Sequence, residues 1–113
     1  MKSQVIELVS PLGDDDEYTS GTRDMSAVAS DFGIAVSNFV VVVDSDQDGT
    51  IEIDQSTDQI IWDEAQTPTD YVGNTGALLL SVQPVQRYVR AKFVNAATPQ
   101  TRFTMTTGVD YNS

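Results

Sequence analysis

The sequence predicts an all-β chain: a single-domain antiparallel β-sandwich, jelly-roll-like, with about eight strands. Three observations lead there. Short runs of Val, Ile, Leu, Phe and Tyr recur along the chain, separated by turn formers at the roughly 8–12-residue spacing of sandwich proteins. Several runs alternate dry and wet positions, as in TIEID from Thr50 and RYVRAKFV from Arg87, the period of a half-buried strand. The chain has 113 residues, the size of one domain, able to bury roughly two thirds of its unfolded surface without staples.

The elements follow in order. Residues 4–9 (QVIELV) read as a first edge strand, or as an arm that adds to a neighbour's sheet, with Gln4, Val5, Ile6 and Leu8 as contact residues. Pro11 lacks a backbone donor, so pairing stops there. Asp14, Asp15, Asp16 and Glu17 repel one another and form an exposed loop. Residues 1–17 are therefore an N-terminal arm or edge segment, and 18–113 the sandwich. Residues 18–24 are strand or irregular, and 25–31 a loop with one helical turn. A long strand is expected over 32–43, with Gly33 and Ser37 marking a bulge or close contact and the valines of 40–43 covered on both faces. After the turn DSDQDG, Ile51 and Ile53 face inward while Glu52 and Asp54 face water. Residues 56–59 turn again, and Ile60, Ile61 and Trp62 continue the sheet. Residues 67–76 form a loop. Leu78, Leu80 and Val82 share a face, and Pro84 ends that strand. Val89, Ala91 and Phe93 point inward from a strand whose other side carries Tyr88, Arg90 and Lys92. A hairpin loop over 95–100 leads to a return strand with Phe103 and Met105 inward and Arg102 and Thr104 outward. The tail, 108–113, is frayed or docked on a neighbour.

Charge limits the partners. Seventeen acids against six bases give −11, a field that repels nucleic acid and anionic membranes. Sixteen of the acids precede Val72, whereas four of the bases (Arg87, Arg90, Lys92, Arg102) lie in a stretch with no acid. That asymmetry reads either as a solvated acidic surface or as an acidic face that meets a basic strand of another subunit. No cysteine and no histidine occur, which removes disulfides, thiolate catalysis, the commonest general base and the commonest transition-metal ligand. No run approaches the roughly 18 apolar residues of a membrane span. The first residues lack the pattern of a secretory signal. Paired carboxylates are the only catalytic candidates, and they sit on turns without a nucleophile–base constellation, so the chain is not expected to be an enzyme.

Two motifs carry possible ligands. Asp44, Asp46 and Asp48, closed by Gly49, match the first half of a calcium loop, in which alternate carboxylates fold round one hard cation. The twelfth position is Gln55 rather than glutamate, and the flanks are strands, which favours a plain turn with no cofactor. Trp62 and Tyr71 read as sugar-stacking residues or as core, and Tyr88 shares the ambiguity.

The order SDQDGT, IEIDQSTD and Trp62, followed by RYVRAKFVNAATPQTRF, resembles small jelly-roll or galactose-binding-like β-sandwich proteins of tailed-bacteriophage virions. Those proteins carry the hairpin pattern SDQ-x-G-T-x-x-I-x-QS-x-DG-x-x-W and a later RYVR-x-x-x-x-N-x-x-x-x-QT-x-F. The matching positions run from Ser45, Asp46, Gln47, Gly49 and Thr50 through Trp62 to Arg87, Tyr88, Arg90, Asn95, Gln100, Thr101 and Phe103. The likeness covers residues 40–107 and departs at Gln59, where the pattern has glycine. It implies a structural role in a virion and explains DSDQDG as hairpin-turn chemistry. By size and analogy it points to a capsid cement or decoration protein. Such a protein would be a homotrimer that binds the joints between major capsid subunits through Tyr88, Arg90, Lys92 and Arg102 or through the N-terminal arm. The alternative is a tail, baseplate or neck module that binds a host-surface glycan, or another virion protein, through Trp62 and Tyr71.

Overall fold

The structure is a computed structural model that describes residues 2–7, 11–13, 15–25 and 37–111. Within them lie ten strands: β1 (Lys2–Glu7), β2 (Glu17–Thr19), β3 (Arg23–Asp24), β4 (Ser37–Ser45), β5 (Gly49–Ser56), β6 (Asp63–Glu64), β7 (Thr69–Tyr71), β8 (Leu78–Val82), β9 (Tyr88–Asn95) and β10 (Phe103–Tyr111). One sheet runs β1-β10-β4-β8; the other runs β2-β9-β5-β6, with β3 also on β9 and β7 also on β5. Every pairing is antiparallel. The pairing is nested: β1 with β10, β2 with β9, β4 with β8 and β5 with β7. That nesting is the wrapping of a jelly roll. The strand count exceeds the expected eight because the short β3, β6 and β7 are added while the expected strand over 60–62 is not formed.

The period of two builds the core. Phe39, Val41 and Val43 from β4, with Met105 and Val109 from β10, face Ile51 and Ile53 from β5 and Val89, Ala91 and Phe93 from β9, and all are buried. Burying an aliphatic side chain of this size contributes about 1.5–3 kcal/mol, so the paired faces hold the sheets together. Phe93 sits centrally, its ring 5.0 Å from Phe103 and 6.1 Å from Tyr71.

The sandwich places its loops at two ends. Residues 11–13, 15–16, 46–48, 72–77 and 96–102 meet at one end. There Asp15 N–H donates to the Ala96 carbonyl, Gln100 N–H to Leu12, Ala96 N–H to Asp48 and Asn74 N–H to Ser45, at 2.8–3.0 Å. Asn95 Nδ2 and Gln100 bind Gly13 and Leu12 from the same region. The loops that leave β5 and enter β9 share the opposite end, because Ser56 lies opposite Tyr88.

Several expectations are corrected. DSDQDG is not a hairpin turn: it carries the chain from one sheet (β4) to the other (β5). Residues 95–100 do the same between β9 and β10. Among the described residues, positive φ occurs at Asp15, Gln59, Asn74 and Gly76, and not at Gly49. Gly49 is required by close approach instead, since a Cβ there would lie 2.3 Å from Phe93 Cζ and 2.6 Å from the Val94 carbonyl. Ile60, Ile61 and Trp62 are outside any strand, and β7 falls within the expected loop. The valine run alternates: Val41 and Val43 are buried, Val40 and Val42 half-buried. Of the expected tail, residues 108–111 are the last part of β10, anchored by Val109, and 112–113 lie outside the described residues. The expected helical turn beyond Met25, the bulge at Gly33 and the loop residue Asp14 lie outside the described residues, as does Leu8.

Candidate functional site

The outer face of the β2-β9-β5 sheet carries the basic residues singled out in the sequence, and register determines what they meet. Glu52 lies opposite Lys92 and Asp54 opposite Arg90. The ion pairs are 3.4 Å for Lys92–Glu52 and 3.7 Å for Arg90–Asp54, and Lys92 also reaches Glu17 at 3.9 Å. At 3.7 Å the Arg90 contact is an ion pair and not a hydrogen bond. The Arg90 guanidinium instead stacks on Trp62, 3.8 Å from the ring centroid. Burial pushes the Asp54 carboxyl up, opposed by the charges of Lys92 and Arg90. Arg87 pairs with Asp24 through two hydrogen bonds of 3.1 and 2.8 Å and lies 5.0 Å from the Tyr88 ring. The acid–base asymmetry along the chain is therefore met within one chain. Partly exposed pairs of this kind contribute about 0–1 kcal/mol each, so the buried face beneath them sets the register.

Arg102 belongs elsewhere. It binds Asp44 at 3.1 Å and contacts Asn74, at the hydrogen-bonded end of the sandwich. Among the described residues it shares no ion-pair partner with Arg90 or Lys92. Beside it, Asp46 accepts the backbone N–H groups of Thr101 and Arg102 at 3.1 and 3.2 Å and also the Thr101 hydroxyl. The Thr101 hydroxyl above all holds the Asp46 carboxyl down, to about 2. Asp48 accepts the Gly73 N–H at 2.8 Å. The three alternating carboxylates thus serve three different sets of donors, and among the described residues no group of three or more such ligands is placed to hold a metal.

Tyr71 is core: it is 2% exposed, and its hydroxyl accepts from Ser45 N–H at 3.0 Å and donates to carbonyl oxygen, with Ser45 at 3.2 Å and Gly76 at 2.8 Å. Its ring is not open to a ligand. Trp62 is half-buried, with Arg90 on one face. An open depression of about 360 Å³ lies beside Asp48, Asp70 and Asn95. In β1, Gln4, Val5 and Ile6 lie opposite Gly108, Thr107 and Thr106. Residues 2–7 are thus an edge strand of their own chain's sheet.

Sequence reasoning missed the exposed loop after β5. Ile60 and Ile61 are 80% and 67% exposed, and Val85 on the loop entering β9 is 87% exposed. The β-branched pair before a tryptophan looks like a strand. The signal against it is Ser56 and Asp58, side chains that bind neighbouring backbone and compete with a ladder.

Fold and surfaces define a small antiparallel β-sandwich module whose described polar side chains largely serve its own fold. Residues 2–110 match the family described as "Uncharacterised protein YqxG N-terminal domain", and the chain belongs to that family. Among solved structures, the PBSX exported protein XepA shares the fold, with a TM-score of 0.81 at 18% identity; the match covers 97% of this chain and 37% of that one. The chain thus spans little more than a third of that neighbour. The Tobacco streak virus coat protein dimer aligns at a TM-score of 0.46 and 7% identity, over 99% of this chain and 87% of that one. A comparison with curated protein sequences found no match.

Proposed function

We propose that the chain is a structural protein of a phage-type virion and acts by binding protein. In its finer form it is a capsid cement or decoration protein, a homotrimer that binds at joints between major capsid subunits and stabilises the shell. The observation that carries this reading is where the polar groups go. Asp44, Asp46, Asp48, Arg87, Arg90, Lys92 and Arg102, the residues with chemistry to offer, each bind another part of the same chain. What is left to act on a partner is surface. The resemblance over 40–107 and a fold shared with a protein described as exported support a place in a particle. Added buried area at subunit boundaries would raise the resistance of the shell to internal pressure.

The glycan-binding alternative loses one of its two aromatic residues, because Tyr71 is buried. The test is deletion of the gene from the particle's genome. A cement role predicts particles that assemble but release DNA at lower temperature or on milder osmotic shock, with rescue on adding the purified chain. Particles of unchanged resistance that fail to adsorb to cells would favour the tail or baseplate reading and overturn cement.

A further inference from the structure

The end of the sandwich opposite the hydrogen-bonded loops carries three large apolar side chains in water: Ile60, Ile61 and Val85. They lie on two loops that are tied together. Gln55 accepts the N–H groups of Val85 and Gln86 at 2.9 and 3.2 Å, Thr57 binds Gln86 at 3.2 Å, and Gln86 binds Asp63 at 2.9 Å.

The turn that lifts the isoleucines is built. Ser56 Oγ accepts the N–H groups of Asp58 and Gln59 at 3.2 and 2.8 Å and donates to the Ile61 carbonyl at 2.6 Å. Asp58 Oδ1 accepts the N–H groups of Ile60 and Ile61 at 2.9 and 3.0 Å. These bonds, the Ile60 N–H first, hold the Asp58 carboxyl below its ordinary value. Gln59 occupies the left-handed region at φ 65°, a conformation that is uncommon for a residue with a side chain. A fixed turn holds two isoleucines outward, where each forgoes the roughly 1.5–3 kcal/mol of burial. Little ordering entropy remains to be lost when a partner covers them.

Charge selects the partner. Asp58, Asp63 and Glu64 are exposed around the two isoleucines. The nearby cations are already paired, Arg87 with Asp24 and Arg90 with Asp54, and the Arg90 guanidinium is also covered by Trp62. The same tip of a second copy would bring an acidic rim against an acidic rim, and an anionic membrane would be repelled for the same reason. From this geometry we infer that the Ile60–Ile61 tip, with Val85 beside it, docks into an apolar pocket rimmed by Lys or Arg on a different protein of the particle. This deepens the virion reading and rests on it.

The experiment is rebinding to particles from which the gene has been deleted, read by co-sedimentation across a protein titration. The variants are the wild-type chain, I60S/I61S, V85S and, as a control for an exposed apolar residue elsewhere, L79S (Leu79 is 61% exposed on β8). The expected result is a loss of roughly tenfold or more for I60S/I61S, a smaller loss for V85S and none for L79S. Wild-type binding should weaken as salt rises. Thermal melting of I60S/I61S should match wild type. Equal rebinding by I60S/I61S overturns the docking tip and leaves the virion reading standing. A lower melting temperature for I60S/I61S overturns it as well, because the isoleucines would then be packing on their own chain. Failure of the wild-type chain to rebind overturns the virion reading, and the docking tip with it.

Discussion

Asp46 and Thr101 join two sheet-to-sheet crossovers of the sandwich: a carboxylate on the β4–β5 crossover receives both the backbone N–H and the hydroxyl of a residue on the β9–β10 crossover. The bond links segments 55 residues apart in sequence and closes the end where four loops meet. It also makes the lock sensitive to acid. The Asp46 carboxyl stands at about 2 against an ordinary 3.8. A depressed carboxyl contributes stability that is fully present above the unfolded value and lost as pH falls through the folded one. The melting temperature of the wild-type chain should therefore decline between about pH 4 and pH 2. In Asp46→Asn that decline should be shallower and the melting temperature at neutral pH lower. Parallel melting curves against pH for the two proteins would contradict the lock.

Gly49 is held by contact and not by dihedral angle. Gly49→Ala should destabilise by about 1–3 kcal/mol, the cost of overpacking against a fixed neighbour, because Phe93 and the Val94 carbonyl occupy the space. Urea unfolding measures it. Gly49→Ala combined with Phe93→Leu should cost less than the sum of the two single changes, since the ring tip is one of the obstacles.

Tyr71→Phe keeps the ring against Phe93 and removes only the hydroxyl. That leaves the buried Ser45 N–H without this acceptor, and an unsatisfied buried group costs about 1–3 kcal/mol. Urea unfolding should show a lower midpoint with an unchanged slope. No shift in midpoint would mean that Ser45 finds another partner.

Asp54 is a different kind of carboxylate. Burial raises its pKa while Lys92 and Arg90 pull it down. Desolvation and attraction oppose each other, so Asp54→Asn should change stability at neutral pH by less than about 1 kcal/mol. A much larger loss would show that the ion-pair ladder, and not the core beneath it, sets the register.

Calcium at millimolar concentration should leave the melting temperature unchanged, because Asp44, Asp46 and Asp48 are engaged by separate protein donors. A rise would report binding to the native state and restore the calcium-loop reading.

Much of the fold was legible because strand faces depend on a period of two. Ile51, Ile53, Val89, Ala91, Phe93, Phe103 and Met105 all face the core as alternation requires. Connectivity was not legible. A hairpin turn and a sheet-to-sheet crossover use the same Asp, Asn and Gly residues, and only pairing distinguishes them. DSDQDG and NAATPQ were both read as hairpin loops, and both cross between sheets. The candidate surfaces were legible in part. Tyr88, Arg90 and Lys92 lie on the outer face as expected, yet their charges find Asp54, Glu52 and Glu17 on strands whose register no local pattern specifies. Ile60 and Ile61 were misread because β-branched residues suit a strand, whereas Ser56 and Asp58 had already turned the backbone away.

The measurement that tests the central claim most directly is copy number, by quantitative mass spectrometry of purified particles against their major capsid protein. A capsid cement role predicts a ratio near one copy per capsid subunit, or a simple fraction of it set by the lattice. A ratio of a few per hundred would contradict cement and move the chain to the tail or neck. Absence from the particle would contradict the virion role altogether.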